Sequence, residues 1–213
     1  MDLLVLLNGL TLLVVRALPG VPVHDGVRLF LPSFAFLAAL AGIGTQEVFL
    51  WAVERGRRIR TGAALLLLFV ACSFNVWLYA PQWLSYYSLL IGGLPGAEAV
   101  GMEPTYWWDA LDGDVLDWLH AHTAKDDKIR FAAPSHDNLL WMSRWGVLRR
   151  GWHASHPGRY RWYVVQHRPS AWQPRDRWLL ENAVAVYRKT LLGVPLLSVY
   201  SHDDFEGARR MER

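Results

Sequence analysis

The chain has 213 residues, of which 53% are hydrophobic, yet its mean hydropathy is only +0.11 because most of the charge lies after residue 80. The formal net charge of +3 depends on an arginine cluster within residues 54–60, which argues against nucleic acid as a partner. A single cysteine, Cys72, excludes an intramolecular disulfide, and the scattered histidines form no Cys/His metal motif, so we expect no metal site.

Three apolar segments predict three transmembrane helices, over about residues 3–18, 29–48 and 62–80. A helix crosses the hydrocarbon core of a bilayer with about 20 apolar residues, so the second and third segments are long enough and the first is marginal. The first segment could also be a signal peptide. It lacks a positive charge before its apolar run and carries Arg16 near its end, which favours a short transmembrane helix.

The basic cluster at residues 54–60 separates the second helix from the third and sets the predicted orientation. Short loops rich in arginine remain in the cytoplasm, so the cluster is predicted to face inward. The third segment contains no charge and would lead everything after it to the other side of the membrane. We therefore expect a multi-pass membrane protein, with residues 1–80 in the membrane and residues 81–213 on the outer side.

Residues 81–108 are predicted to form an interfacial connector between the membrane helices and the outer domain. Trp77, Trp83 and Tyr86 belong to an aromatic cluster at the exit of the third helix, where such rings favour headgroup depth. Residues 84–101 are apolar and rich in glycine, but Gly and Pro interrupt them too often for a fourth span.

Residues 109–213 are predicted to form a small soluble α/β domain. Hydrophobic periodicity indicates three helices, and β-branched and aromatic runs indicate three strands. The helices are expected at residues 108–123, 138–145 and 175–189, and the strands at residues 128–133, 160–166 and 196–200. Because strands and helices alternate, we expect a mostly parallel sheet, and residues 203–213 are expected to be a frayed charged tail.

The loop before the second helix carries the first candidate site, His24, Asp25 and Arg28. Arg28 would stand at the outer start of a transmembrane helix. There its guanidinium could form two charge-assisted hydrogen bonds to a phosphate beside the apolar phase. Asp25 could orient Arg28 or cap the helix. The residues alone equally allow a plain interfacial anchor with a helix cap.

Residues 101–108 carry the second candidate site, with Glu103, Tyr106 and Trp107. Aromatic faces can stack on the C–H surfaces of sugars, and a carboxylate can accept hydrogen bonds from sugar hydroxyls. The alternative is a structural junction, in which these aromatic side chains pack the soluble domain onto the helices.

A third candidate is the basic and aromatic tract at residues 144–161. It could bind anionic lipid headgroups or a phosphate, or it could be a solvated loop. The sequence contains no nucleophile elbow, P-loop, dinucleotide fingerprint or zinc signature, so none of those chemistries is indicated.

Two segments resemble a known enzyme family. The run PVHDGVRLFLPSFAFLAALAGIG at residues 22–44 resembles the late transmembrane region of bacterial lipid-carrier-dependent glycosyltransferases of the protein-mannosyltransferase type, in the GT-C superfamily. The runs LSYYSLLIGGLPGA at residues 84–97 and GMEPTYW at residues 101–107 resemble the segment after the last helix of that group. His24 stands where the family pattern leads us to expect Tyr.

The resemblance implies a polytopic hexosyltransferase of the bacterial cytoplasmic (inner) membrane that takes a sugar from a polyprenyl-phosphate donor at the outer face. The implied donor-phosphate residues are Arg28, Asp25 and His24, and the implied acceptor-side residues are Glu103, Tyr106 and Trp107. Such enzymes keep a catalytic carboxylate in a first outer loop that this sequence does not show. We therefore expect a C-terminal portion or a truncated reading frame, inactive alone, with the remainder of the enzyme or an N-terminal chain as partner.

Two other functions stay open from the residues. The main alternative is a non-enzymatic, membrane-anchored outer domain that binds a partner or a cell-wall sugar. A membrane-bound hydrolase is a third possibility, but no catalytic triad or metal set in the sequence supports it.

Overall fold

The structure is a computed structural model that describes residues 2–19, 31–106, 108–132, 134, 136–149, 151–152 and 160–211. It divides into two compact units, Met1–Leu78 and Tyr79–Arg213. The boundary falls just after the third apolar helix.

Among its described residues, the first unit contains three helices, α1 (Asp2–Ala17), α2 (Leu31–Glu54) and α3 (Arg58–Trp77). The third helix was predicted at residues 62–80, and both of its ends differ from this. It begins earlier because arginine is a good helix former, so the helix extends into the basic cluster as far as a turn at Gly56, which has a φ of 66°. It ends earlier because the chain turns before Pro81, which cannot continue a helix.

In the part of the chain that the structure describes, two helices are long and apolar enough to cross a membrane, Pro32–Glu54 within α2 and Arg58–Trp77, which is α3. In each, only 6% of the apolar stretch is buried. A core helix of a soluble domain would be mostly enclosed, so this exposure suits contact with lipid. At 16 residues, and about 1.5 Å per residue, α1 is shorter than the roughly 30 Å hydrocarbon core.

Helices α1 and α2 pack together where Gly9 allows a close approach. A Cβ placed at Gly9 would lie 3.4 Å from Cβ of Phe36, which is tight contact. The small residue therefore lets the backbone of α1 approach α2, as is common between membrane helices. Within α3, Asn75 is the buried residue.

The second unit contains five helices, four strands and several one-turn 3-10 helices among its described residues. The helices are α4 (Gly93–Ala99), α5 (Gly113–His122), α6 (His136–Arg144), α7 (Pro174–Asn182) and α8 (His202–Met211). The strands are β1 (Ile129–Phe131), β2 (Trp162–Gln166), β3 (Tyr187–Leu191) and β4 (Val194–Ser201). The coarse prediction of a small α/β domain is therefore confirmed.

The sheet has the order β1-β2-β4-β3, and the prediction of a mostly parallel sheet was wrong. Only β1 and β2 pair in parallel, whereas β2 with β4 and β3 with β4 pair antiparallel. The difference comes from β3, which forms a tight hairpin with β4. Its two turn residues, Leu192 and Gly193, have φ angles of 49° and 83°, the positive values that a two-residue hairpin turn requires.

The predicted helix at residues 175–189 is confirmed in its first half and was wrong in its second half. The helix ends at Asn182, and the rest of the segment passes into β3. The run Ala-Val-Ala-Val-Tyr at residues 183–187 contains β-branched and aromatic residues that favour a strand, and side-chain burial alternates along β3. A helical hydrophobic pattern fitted the same residues, but pairing with β4 decided the structure.

The expected frayed tail at residues 203–213 is helical over most of its length. Helix α8 begins at His202 and is anchored by the buried ring of Phe205. The charged composition led to the wrong expectation, because one apolar side chain among charges is enough to dock a short helix.

The sheet is covered on both faces. In β2, Trp162 and Val164 face one core that also contains residues of α5 and α6. Tyr163 and Val165 face a second core, with Leu179 of α7 and Phe205 of α8. Successive residues of a strand point to opposite faces, so a strand buried throughout, as β2 is, must have a layer on each side.

Candidate functional site

The predicted donor-phosphate residues His24, Asp25 and Arg28 lie outside the described residues. The acceptor-side residue Trp107 also lies outside them. Glu103 and Tyr106 are described, and they belong to a polar junction formed by residues 101–106 and 108–109, the end of β2 and the loop that follows it.

Glu103 is held by two groups from the loop after β2. Its Oε2 accepts a hydrogen bond from Nε of Arg168 at 3.1 Å, and its Oε1 accepts one from the backbone N–H of Ser170 at 2.9 Å. The side chains of Glu103 and Arg168 are 17% and 19% exposed, so the ion pair is largely shielded from water. The carboxylate therefore ties the connector to the sheet, and a role toward a sugar stays a prediction.

Tyr106 meets a second connector tyrosine at the same junction. Its hydroxyl lies 3.2 Å from the hydroxyl of Tyr87, which donates a hydrogen bond to the backbone carbonyl of Glu103 at 2.7 Å. Burial, the hydrogen bond with Tyr106 and the negative charge of Glu103 raise the pKa of Tyr87 above its usual range. The phenol of Tyr87 stays protonated at neutral pH and acts as a donor.

A second set of hydrogen bonds joins buried Thr105 and Gln166 with half-buried Asp109. The hydroxyl of Thr105 donates to Oδ1 of Asp109 and accepts a hydrogen bond from Nε2 of Gln166 at 3.2 Å. Burial raises the pKa of the Asp109 carboxyl, although the hydrogen bond from Thr105 opposes that rise. These hydrogen bonds hold Thr105 and Asp109 against Gln166, the last residue of β2.

This junction can position the aromatic residues of the connector, but it is not arranged for proton transfer to a substrate. Tyr87 is kept protonated, and Glu103 already accepts two hydrogen bonds from within the chain. These contacts within the second unit are those of a structural junction, while packing of its aromatic residues onto the membrane helices stays a prediction. Sugar binding by this segment would require direct contact between the sugar and Tyr106 or an indole next to it in the sequence.

A second place of interest is an open cleft along one face of α6. Its volume is about 400 Å³, and it is lined by Trp108, Asn138, Trp141, Met142 and Trp145. The four residues from α6 and its end recur at i, i+3, i+4 and i+7, which is one face of a helix. Leu139 faces the core instead.

Two of the three indoles of this cleft, Trp141 and Trp145, are open to solvent, whereas Trp108 is half-buried. Trp145 is 74% exposed and Trp141 is half-exposed, with their ring centroids 5.7 Å apart at 39°. The guanidinium of Arg144 lies 5.1 Å from the Trp141 ring, so a cation already covers part of that indole. An aromatic cleft with a neighbouring amide can stack a ring and hydrogen-bond its substituents. The sequence analysis missed this cleft, although the helical spacing of residues 138, 141, 142 and 145 was visible.

The predicted basic tract at residues 144–161 is only partly described, because residues 150 and 153–159 lie outside the described part of the chain. Where it is described, its arginines interact within the chain. Arg149 donates to the backbone carbonyls of Thr123 and His120 at 3.2 and 3.3 Å, and the guanidinium of Arg161 lies 4.6 Å from the Trp162 ring. These contacts favour a structural role for both arginines.

A buried histidine in this unit also escaped the sequence analysis. His167 follows β2, and its Nε2 lies 2.8 Å from the hydroxyl of Ser198 on β4. Burial, followed by the positive charge of Arg188, lowers the pKa of His167 to about 4. The imidazole is therefore neutral at physiological pH, and its position depends on strand pairing that the sequence analysis did not predict.

Among the residues that the structure describes, no group of three or more His, Cys, Asp or Glu side chains could hold a metal ion. Comparison with protein-family models, curated proteins and solved structures finds no match to this chain.

Proposed function

We propose that this chain forms the donor-phosphate and outer-domain part of a membrane glycosyltransferase that uses a polyprenyl-phosphate-linked sugar. In this proposal three helices cross a bacterial inner membrane, and residues 79–213 lie on the outer side. Arg28, with Asp25 and His24, contacts the lipid phosphate, and the outer unit contributes Tyr106 and the neighbouring indoles to the acceptor side.

The observation that carries the proposal is the distribution of charge at the two ends of α2. The helix runs from Leu31 to Glu54, about 36 Å at 1.5 Å per residue, which is enough to span a bilayer core. The basic cluster follows its C-terminal end, and Arg28 shortly precedes its N-terminal end. The cluster sets the inner side by the positive-inside tendency, so the arginines on the opposite side, Arg28 and also Arg16 near the end of α1, call for a separate explanation. For Arg28, the resemblance of residues 22–44, 84–97 and 101–107 to the lipid-carrier-dependent glycosyltransferases offers an explanation, which is contact with the phosphate of the lipid donor.

A phosphate on a polyprenyl chain suits an arginine at this depth. The lipid tail remains in the hydrocarbon phase, while the phosphate stays at the boundary, where its oxygens need donors. A guanidinium offers two parallel N–H groups and keeps its charge, whereas a lysine ammonium acts as a point charge. This difference makes Arg28→Lys an informative variant beside Arg28→Ala.

The test measures binding of undecaprenyl phosphate to the full chain in detergent by native mass spectrometry. Arg28→Ala is expected to weaken binding by about tenfold or more, since a desolvated charge-assisted hydrogen bond contributes roughly 2 kcal/mol. Arg28→Lys should be intermediate. Arg58→Ala, which removes an arginine from the other end of the membrane part, is the matched control and should bind like the unchanged chain.

Undecaprenol, which has the same tail without the phosphate, separates phosphate recognition from tail binding. We expect it to bind weakly and equally to all four forms of the chain. If Arg28→Ala retains the affinity of the unchanged chain for undecaprenyl phosphate, Arg28 is an interfacial anchor and the donor proposal fails.

The exposed cleft on α6 favours one second candidate, a membrane-anchored domain that binds a cell-wall saccharide without transferring it. Three indoles and an amide around about 400 Å³ are suited to a sugar ring. Trp145→Ala should then abolish retention of the chain on immobilised cell-wall polysaccharide. Trp83→Ala, which removes an indole that is 61% exposed and lies outside the cleft, should not. Equal retention of both variants would remove this candidate.

A further inference from the structure

The connector carries an apolar surface that the second unit leaves uncovered. Its most exposed part is a one-turn 3-10 helix, Leu89–Ile91, in which Leu89 is 68% exposed and Leu90 is 99% exposed. Trp83 and Leu84, earlier in the connector, are also largely exposed. Large aliphatic side chains collected in one segment of a folded unit mark a contact surface.

The turn is held rigidly in this exposed position. The hydroxyl of Ser88 accepts the N–H of Leu90, and the carbonyl of Ser88 accepts the N–H groups of Ile91 and Gly93, both at 3.1 Å. Gly92 and Gly93 have φ angles of 88° and 64°, which reverse the chain directly after the turn at little steric cost.

The base of the turn is anchored in the buried core. The hydroxyl of Tyr79 accepts the backbone N–H of Leu94 at 2.9 Å, and both residues are buried. A Cβ at Gly96 would overlap the carbonyl of Ile91, so the first turn of α4 packs directly on the exposed turn. Leu89 and Leu90 are therefore held in an exposed position by a rigid turn. Burying them against the second unit would break these hydrogen bonds and packing contacts.

The composition of the segment favours lipid as the partner of this apolar surface. Residues 61–97 contain no Asp, Glu, Lys, Arg or His, so the charge-free stretch that begins in α3 continues through the turn. Trp83 and Tyr86 lie in the connector with their rings exposed, as in aromatic belts at membrane interfaces. A site for a soluble protein partner would carry a polar rim with several charges, whereas the nearest charge along the chain is a single carboxylate, Glu98 in α4.

We infer that the Leu89–Ile91 turn is a membrane-inserting element, which places Leu89 and Leu90 below the headgroups of the same bilayer that α3 crosses. The inference rests on the proposed membrane insertion of α3 but not on glycosyl transfer. The turn gives the outer unit a second, non-helical attachment to the membrane.

Site-directed spin labelling of the full chain in lipid nanodiscs tests this. The unchanged chain has one cysteine, Cys72 in α3, whose label reports whether α3 itself lies in lipid. In a Cys72→Ser background, Leu90→Cys places the label on the turn. Val184→Cys places it on an 85% exposed position after α7, as the matched control.

Collisions with molecular oxygen, which concentrates in the hydrocarbon phase, are compared with collisions with a water-soluble nickel chelate. We expect labels at positions 72 and 90 to favour oxygen and the label at position 184 to favour the nickel chelate. If the label at position 72 favours oxygen and the label at position 90 favours nickel, the turn lies in water and the inference is overturned, while the insertion of α3 stands.

Two further outcomes also overturn it. Low collision rates with both reagents at position 90 would show that protein covers the turn. A label at position 72 that favours nickel would show that α3 is outside the bilayer, and then the membrane proposal fails together with this inference.

Discussion

Glu103 connects two segments that are far apart in the sequence. Its partners Arg168 and Ser170 follow β2, 65 and 67 positions further along the chain. The cluster of a carboxylate and aromatic residues at 101–108 was visible in the sequence, and it drew attention to the right segment. The identity of its partners depends on strand pairing, which residue types alone do not specify.

Glu103→Ala should destabilise the second unit by about 2 kcal/mol, because it removes two hydrogen bonds and leaves the partly buried Arg168 without this carboxylate. Glu103→Gln keeps an acceptor for the N–H of Ser170 and should cost roughly half as much. Urea unfolding of the full chain in detergent, followed by tryptophan fluorescence, measures both. Glu181→Ala, at an exposed position on α7, is the control and should leave stability almost unchanged. A Glu103→Ala variant as stable as this control would contradict the junction.

His167 gives the second unit a defined dependence on pH. Its pKa is lowered to about 4, while the unfolded chain has the ordinary value of 6.5. Between these values the unfolded state binds the proton more readily, so the free energy of unfolding falls as the pH is lowered from about 6.5 to about 4. The full loss corresponds to about 3 kcal/mol.

Replacing His167 with Gln should flatten this part of the profile, since the amide can still hydrogen-bond Ser198 and does not titrate. Urea unfolding at a series of pH values compares His167→Gln with the unchanged chain. His122→Gln, at an exposed position on α5, should retain the original profile. A His167→Gln profile as steep as that of the unchanged chain would show that other groups cause the acid sensitivity.

At the scale of elements, the sequence correctly predicted the helices and strands whose apolar residues follow a single, unambiguous pattern. The core of β2 was predictable because aromatic and β-branched residues follow one another without interruption. The segment at residues 175–189 was not, because it satisfies a helical pattern while its second half pairs with β4. A hairpin signal was weak there, since Leu192 occupies a turn position where Gly or Asn is usual.

Helix α8 depends on one side chain more than on its own helical propensity. Phe205 is buried, and its ring centroid lies 4.6 Å from that of Tyr163 on β2. Phe205→Ala should cost about 3–5 kcal/mol, and Phe205→Leu, which retains most of the volume, should cost under about 1.5 kcal/mol. Urea unfolding measures both differences.

Asp203→Ala serves as the control on the same helix, because Asp203 is exposed. It should change stability by less than about 0.5 kcal/mol. If Phe205→Ala were equally mild, residues 202–211 would be the frayed tail that their charged composition suggested, and the second core would not depend on α8.

At the scale of the whole molecule, the sequence predicts two parts with different surroundings, and the structure divides into two units. Apolar length alone identified α2 and α3, because a membrane-spanning helix requires little more than an uninterrupted apolar run. The junction at Glu103 and the cleft on α6 required the fold of the second unit. The predicted phosphate site at Arg28 lies outside the described residues, so its chemistry is argued from its position in the sequence.

The proposed function requires above all that the second unit faces the outside of the membrane. Labelling with a membrane-impermeant maleimide in intact bacterial cells tests this claim directly. In a Cys72→Ser background, Ile59→Cys lies within the basic cluster and leaves its arginines unchanged, and Val184→Cys lies in the second unit. The two positions are 87% and 85% exposed, so differences in burial do not affect the comparison.

We expect Val184→Cys to be labelled in intact cells and Ile59→Cys to be labelled only after the cells are permeabilised. This result is the one that an inward-facing arginine cluster requires. Labelling of Ile59→Cys in intact cells, with Val184→Cys protected until permeabilisation, would contradict the orientation and remove the outer-face glycosyltransferase proposal with it.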